Sequence, residues 1–343
     1  MIVIGAGNTG GVLAYMYDED SLIFSTAVQD ANNFSDAKNV FVMAEQGASK
    51  RFKQGEKIWQ DNEERLKNVL RNIKNEKVIL FSSMGGGSGA SSLQFFIKHL
   101  LDNENRILIV GVLPFKKEIN PPLANAVQSM NSVLPFINKV SFMLFDNTDL
   151  IKEIGNDWVK INKHIVTKVG QLVNLINNFS MEGYSPLTLD QSELESVVFG
   201  GGFVDLSTTF IEQIMPKFEQ GSLDKKTKNC MIAMFIDRKS SVDRVNKYHN
   251  TITDIINRVS SKCPNARMIP GIVRTDIKKV DPKGLYSSDD RCFITVASGI
   301  SPDKYLSKME KMRDDAIKRA EAFTEIEKND KIVDNREARK LDI

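Results

Sequence analysis

Two glycine clusters, each set directly behind an apolar run and directly ahead of a helical pattern, restrict the possible folds of this chain more than any other feature. The first is Gly5-Ala6-Gly7-Asn8-Thr9-Gly10-Gly11 behind Met1-Ile2-Val3-Ile4, and the second is Gly85-Gly86-Gly87-Ser88-Gly89 behind Val78-Ile79-Leu80-Phe81. Glycine at that density costs folding entropy, so it is expected where backbone must approach something closely. A strand, a glycine turn and a helix start aim several N–H groups at one point, which suits a phosphate. No lysine follows the second cluster, which separates it from the glycine loop that ends in Lys-Ser/Thr. Backbone amides and the Ser88 hydroxyl are then the expected phosphate ligands.

Strand-like runs at 2–4, 22–26, 77–82, 106–113 and 140–145 alternate with helical patterns. That alternation predicts a parallel sheet with helices on both faces and ligand loops at the carboxyl ends of the strands. From Asp157 to Phe179 a long pattern (Val159, Ile161, Ile165, Val169, Leu172, Val173, Ile176) predicts a helix apolar on more than one face, buried between two domains. Short helices near 192–198 and 205–218, strands at 230–236, 267–275 and 292–299, and a helix at about 242–261 predict a smaller α+β domain. A final stripe, Tyr305, Met309, Met312, Ala316, Ala320 and Phe323, predicts a C-terminal helix packed on the body. The pattern stops at Glu325, and the tail carries charges that cancel.

Composition narrows the function. A net charge of +2 over 343 residues argues against strong direct nucleic-acid binding, which needs a basic face. Cys230, Cys263 and Cys292, like the three histidines, are scattered, so no disulfide framework and no protein-held metal site is expected. No run of about 18 apolar residues exists, so no membrane span is expected. Met1-Ile2-Val3-Ile4 is too short for a signal peptide and reads as the first strand, and a cytoplasmic location is the expectation.

Taken alone, Gly5-x-Gly7-x-x-Gly10 is a dinucleotide fingerprint, with Asp30 near the spacing of a ribose contact, and a monomeric NAD-binding oxidoreductase stays open on it. That reading wants the acid at the end of the second strand, whereas Asp30 lies beyond Phe24-Ser25-Thr26. It also has no use for a second cradle. Two cradles suit a ligand with a longer phosphate chain held at both ends.

The whole set resembles the tubulin/FtsZ superfamily of filament-forming GTPases. Met84-Gly85-Gly86-Gly87-Ser88-Gly89 is similar to its signature Gly-Gly-Gly-Thr-Gly-Thr/Ser-Gly, and Gly5-x-Gly7-x-x-Gly10-Gly11 to its first loop. Ser25-Thr26-Ala27-Val28-Gln29-Asp30, and Glu45-Gln46-Gly47-Ala48 through Gly55-Glu56, resemble the next two nucleotide loops, most closely those of the plasmid and phage TubZ branch. Pro114-Phe115 follows in order. Ala90 and Ser91 depart from the motif's second threonine and final glycine, as Asn8 and Val12 do from a glycine and an asparagine in the first loop. The bacterial division protein FtsZ is a further alternative within the family.

The resemblance implies a fold, a ligand and roles. The fold is α/β: a Rossmann-like GTP-binding domain at 1–155, a central connecting helix at 156–180, a second domain at 181–300, and a C-terminal helix and tail at 301–343. The ligand is GTP or GDP, with Mg2+ carried by the nucleotide. The implied nucleotide contacts are Gly5, Gly7, Asn8, Gly10, Gly11, Gln29, Gly47, Ala48, Gly85, Gly86, Gly87, Ser88 and Gly89. Asn147 and Asn162 are implied to read guanine and Trp158 to stack on it, although Asn147 also reads as a turn residue and Trp158 as a core residue at a domain joint. Asp190-x-x-Glu193 is similar to the family's catalytic Asp-x-x-Glu, and equally reads as an N-cap with its capping-box glutamate. The implied partners are further copies of the chain, joined head to tail, and a DNA-binding partition adaptor on the tail.

Overall fold

The computed structural model describes residues 1–118, 121–177, 191–209, 228–237, 242–275, 287–288, 291–300 and, within 306–318, all but 308, 312 and 316. Its strands are β1 (Ile2–Ala6), β2 (Leu22–Ser25), β3 (Val40–Val42), β4 (Lys77–Ser83), β5 (Arg106–Leu113), β6 (Ser141–Asp146), β7 (Gly202–Thr209), β8 (Asn229–Asp237), β9 (Arg267–Thr275), β10 (Ser287–Ser288) and β11 (Arg291–Ile300). They join in the order β3-β2-β1-β4-β5-β6-β7-β11-β8-β9, with β10 beside β11. From β3 to β7 every pairing is parallel, whereas β11 runs antiparallel to both β7 and β8. The first half is thus the α/β, Rossmann-like parallel sheet that the alternation predicts.

Residue choice explains the layers. In β4, Val78, Ile79, Leu80 and Phe81 are all fully buried, because a central parallel strand is covered on both faces. Val78 and Leu80 join one core with Leu93, Phe96, Ile97 and Leu100 of α5 (Gly87–Asp102). Ile79 and Phe81 point the other way, into a core with Leu13 of α1 (Gly7–Tyr17) and Ile161, Ile165, Val169 and Leu172 of α8 (Trp158–Asn177). Helix α8 buries a single stripe and leaves Val159 62% exposed, so it is less enclosed than its composition suggests. Its core also takes in Met231 and Ile269 of β8 and β9, which ties the two halves together.

Strands β3, β7 and the two-residue β10 escape the sequence patterns. The edge strand β3 has three half-buried residues, too few to show an alternation. β7 is a strand where a helix near 205–218 is predicted, while 210–227 lie outside the described residues. Phe203 and Val204 are both buried, one in each core, as adjacent residues of a strand covered on both sides must be. Helices α9 (Gln191–Phe199) and α10 (Val242–Lys262) match the expected positions. Of the C-terminal stripe, Met309 is buried in the α5 core, and Tyr305, Met312, Ala316, Ala320 and Phe323 lie outside the described residues. Among the described residues no helix is long and apolar enough to cross a membrane.

Candidate functional site

Both glycine clusters open onto one cavity of about 430 Å3 at the carboxyl ends of β1 and β4. Helix α1 begins at Gly7 and α5 at Gly87, and neither has a side-chain cap or an acidic residue in its first turn. Two sets of unpaired N–H groups, each at the positive end of a helix, therefore face the same space. Of the residues expected to hold nucleotide, Gly7, Asn8, Gln29, Gly47, Ala48, Gly86, Gly87, Ser88 and Gly89 line it.

Gly5, Gly10, Gly11 and Gly85 lie outside the cavity lining, and their glycine identity serves packing. A Cβ on Gly10 would stand 2.4 Å from the Phe81 carbonyl oxygen, and one on Gly5 would stand 2.5 Å from that of Gly10. Helix α1 thus lies directly on β1 and β4, which is what brings Gly7 to the second cluster. Gly7 has φ +71°, and a Cβ there would be 2.9 Å from the Gly89 nitrogen. On Gly85 a Cβ would meet Pro114 at 2.9 Å.

The second cluster is braced from behind. The fully buried Trp59 of α3 (Phe52–Asp61) donates its indole N–H to the Ser88 carbonyl at 2.9 Å, and the Thr26 and Ser88 hydroxyls are hydrogen-bonded to each other. Ser91, where the motif has glycine, donates to the Gly87 carbonyl at 2.7 Å. Its room comes from Gly55, whose missing Cβ would lie 2.4 Å from the Ser91 hydroxyl.

Lys50, Ser49, Ser83, Thr9, Ala27 and Asp30 also line the cavity; all but Ser83 fall within the loops that resemble nucleotide loops, but none of them is singled out as a nucleotide contact there. Ser49 and Lys50 have φ of 47° and 58°, a left-handed pair that costs non-glycine residues about 1–2 kcal/mol each. The buried Asn125 of α6 (Pro122–Val133) holds this turn, donating to the carbonyls of Lys50 at 2.8 Å and Gly85 at 3.0 Å. Two adjacent left-handed residues in a pocket wall were the available signal, but only the backbone reveals them.

Asn147, Trp158 and Asn162 are not in the cavity lining, and of the three Asn147 lies at the carboxyl end of a sheet strand. Asn147 begins α7 (Asn147–Ile154) at the carboxyl end of β6, where the Asp146 carboxylate caps the helix by accepting from the Thr148 N–H at 2.7 Å. The Asn147 Oδ1 is buried without a hydrogen-bond partner among the described residues. Trp158 is 48% exposed, which removes the core-tryptophan reading. Helix α8 passes α1 with Gly170 against the Tyr17 ring, and Trp158 lies twelve residues, about 18 Å along the axis, before that contact. Asp157 starts α8 by accepting from the N–H groups of Val159 and Lys160, which hold its carboxyl below the ordinary value.

Asp190 lies outside the described residues. Glu193, in the first turn of α9, accepts from Arg267 at 2.8 Å. Two residues on, Glu195 accepts from Lys77 and, at 2.7 Å, from Arg106. Burial pushes the Glu195 carboxyl up, but the two cations together outweigh it and hold its pKa below the usual range. Lys77, Arg106 and Arg267 are the first residues of β4, β5 and β9, so Glu193 occupies the amino end of the sheet, opposite the cavity.

Comparison with known proteins agrees with this geometry. Residues 3–155 match the family model described as Tubulin/FtsZ family, GTPase domain. No curated protein matches the chain. Among solved structures, a GTPγS-form protofilament of TubZ from Bacillus thuringiensis serovar israelensis is similar with a TM-score of 0.72 and 15% identity, covering 94% of this chain and 93% of that one. A GTPγS-bound protofilament of CetZ2 from Haloferax volcanii gives 0.70 and 18%, covering 93% and 99%. TubZ of Clostridium botulinum phage c-st gives 0.66 and 16%, covering 93% and 98%. CetZ and TubZ are equally near, and at these identities they establish the shared fold. The NAD reading is not favoured, since the second cradle shares the cavity of the first. The match of residues 3–155 to that GTPase-domain model indicates that this chain binds GTP and GDP and hydrolyses GTP.

Proposed function

We propose that this GTPase polymerises head to tail, as a filament of the TubZ kind that segregates or positions plasmid or phage DNA, with hydrolysis completed between subunits. The observation that carries the proposal is the placement of the phosphate cavity and Glu193 at opposite ends of one sheet. In a head-to-tail stack those two ends meet, so the acids of one subunit, Asp190 and Glu193, face the nucleotide of the next. That two similar solved structures are GTPγS protofilaments supports the same arrangement. In this reading 1–155 hold the nucleotide, 156–180 connect, 181–300 carry the acids to the interface, and the tail within 301–343 takes a DNA-binding adaptor.

The chemistry asks little covalent work of the protein, because phosphoryl transfer is chiefly positioning and charge stabilisation. The amides at the starts of α1 and α5 hold the phosphates. Asn147 Oδ1, buried and unpartnered, accepts from the guanine edge, Asn162 bonds the same edge, and Trp158 covers the base. Asp30 is a carboxylate on the cavity wall, which fits a Mg2+ that arrives with the phosphates and keeps most of its waters. Such an ion would neutralise phosphate charge. Glu193 and Asp190 orient and polarise the attacking water.

Light scattering and sedimentation after adding GTP, GDP, ATP or NAD test the proposal. Assembly is expected with GTP alone, followed by disassembly as phosphate is released. A protein that binds and hydrolyses GTP yet stays monomeric at every concentration would refute it.

A further inference from the structure

The cavity wall carries two charged side chains, Lys50 and Asp30, and among the described residues no hydrogen bond or ion pair engages either head group. Lys50 is unusual in a second way: it holds a left-handed backbone that glycine would adopt at lower cost. Folding does not explain a lysine there. Its carbonyl is fixed by the same Asn125 amide that grips the Gly85 carbonyl, so one buried side chain ties the loop of Lys50 to the second glycine cluster. The two loops also touch directly, since a Cβ on Gly87 would lie 2.8 Å from both the Ala48 Cβ and the Arg51 nitrogen.

These contacts say which phosphate is involved. Helices α7 and α8, which carry the expected base residues, share a core with α1 on one face of the sheet, while α3, α5 and α6, which hold the Lys50 loop between them, share the core on the opposite face. A nucleotide stretched between them presents its terminal phosphate to the second cluster. We propose that Lys50 supplies the cation of this site, taking the terminal phosphoryl group of GTP, and that Asn125 is the positioning residue that sets it there. The cation missing behind the glycines thus comes from a different loop. The inference rests on the nucleotide reading of the cavity and adds to it a means of telling GTP from GDP.

Calorimetric titration with GTPγS and GDP tests it, on the wild type, Lys50→Met, Lys50→Arg, Asn125→Leu and the double variant, with thermal melts as the check of folding. Lys50→Met is expected to weaken GTPγS about tenfold or more and GDP less than about threefold, because only the triphosphate loses a charge-assisted contact. Lys50→Arg is expected to restore most of the loss. If Asn125 acts through Lys50, the double variant binds GTPγS no more weakly than Lys50→Met, and strictly additive losses overturn the positioning role. Equal affinities for wild type and Lys50→Met, or equal losses for both nucleotides, overturn the cation role while the GTP site stands. A wild type that binds neither nucleotide overturns both. Lys50 is exposed, so its two variants carry the test should Asn125→Leu not fold.

Discussion

Glu193→Ala separates nucleotide binding from hydrolysis, and the structure sets the size of the effect. β4 runs from Lys77, bonded to Glu195 on α9, to Ser83 on the cavity wall. At about 3.3 Å per residue its ends are about 20 Å apart, far beyond the reach of a glutamate side chain. Glu193 therefore cannot serve its own nucleotide, and a water-orienting acid lost from the neighbour should slow phosphate release by roughly 10²–10⁴-fold while leaving GTP affinity unchanged. Gly87→Val does the reverse, since its side chain would press on the Ala48 Cβ and the Arg51 backbone and spoil the pocket. In a random equimolar co-filament about one interface in four pairs an intact pocket with intact acids, so the mixture should recover about a quarter of wild-type activity. Phosphate release from co-sedimented mixtures measures this. A co-assembled mixture no more active than its components would show that the acids do not act across the interface.

Asn147→Ala should relax the preference for GTP over ATP by about tenfold, read by competition binding, because the buried acceptor is the group that adenine leaves unpaired. Trp59→Ala should cost about 3–5 kcal/mol in denaturant unfolding, since the ring is fully buried and its N–H braces the second cluster. Gly10→Ala should destabilise by at least about 1–3 kcal/mol, because a Cβ 2.4 Å from the Phe81 carbonyl forces α1 off the sheet. Against the upward push of burial, Lys77 and Arg106 hold the Glu195 carboxyl below its ordinary unfolded-chain value, so its contribution is present above that ordinary value and is lost as pH falls through the lower, folded-state pKa. Unfolding followed from pH 7 downward should therefore show a steeper acid loss in the wild type than in Glu195→Gln.

The second glycine cluster was legible because its strand and helix are contiguous with it in sequence, so position and chemistry could be read together. The first cluster was legible as a site but not in its division of labour: only the contact of α1 with Phe81 shows that Gly10 packs while Gly7 faces the cavity. Lys50 lay inside the loop recognised from Glu45 through Glu56 but its side chain was not legible as a ligand, because no local pattern links it to glycines more than thirty residues away and its left-handed φ leaves no mark in the sequence. β7 was misread since Leu206 and the apolar residues after it imitate a helical period, whereas coverage of both its faces comes from distant elements. Glu193 was found by its motif, yet its distance from the cavity follows only from the cations that anchor α9.

The join between β6 and β7 has a mechanical consequence. Only Ser141 with Gly202 and Phe142 with Phe203 pair there, against seven pairs between β4 and β5, and Gly201 and Gly202 both have positive φ at the crossing. The apolar core beside it, which Met231 and Ile269 share with α8, is not directional. Load or thermal motion passing between the halves thus meets a stiff plate on each side and, between them, a seam two pairs wide that α9 also spans, with Glu195 on Lys77 and Arg106 and Glu193 on Arg267. Shear should concentrate at that seam, so each subunit would behave as two rigid bodies on a soft coupling, bending there before either sheet deforms.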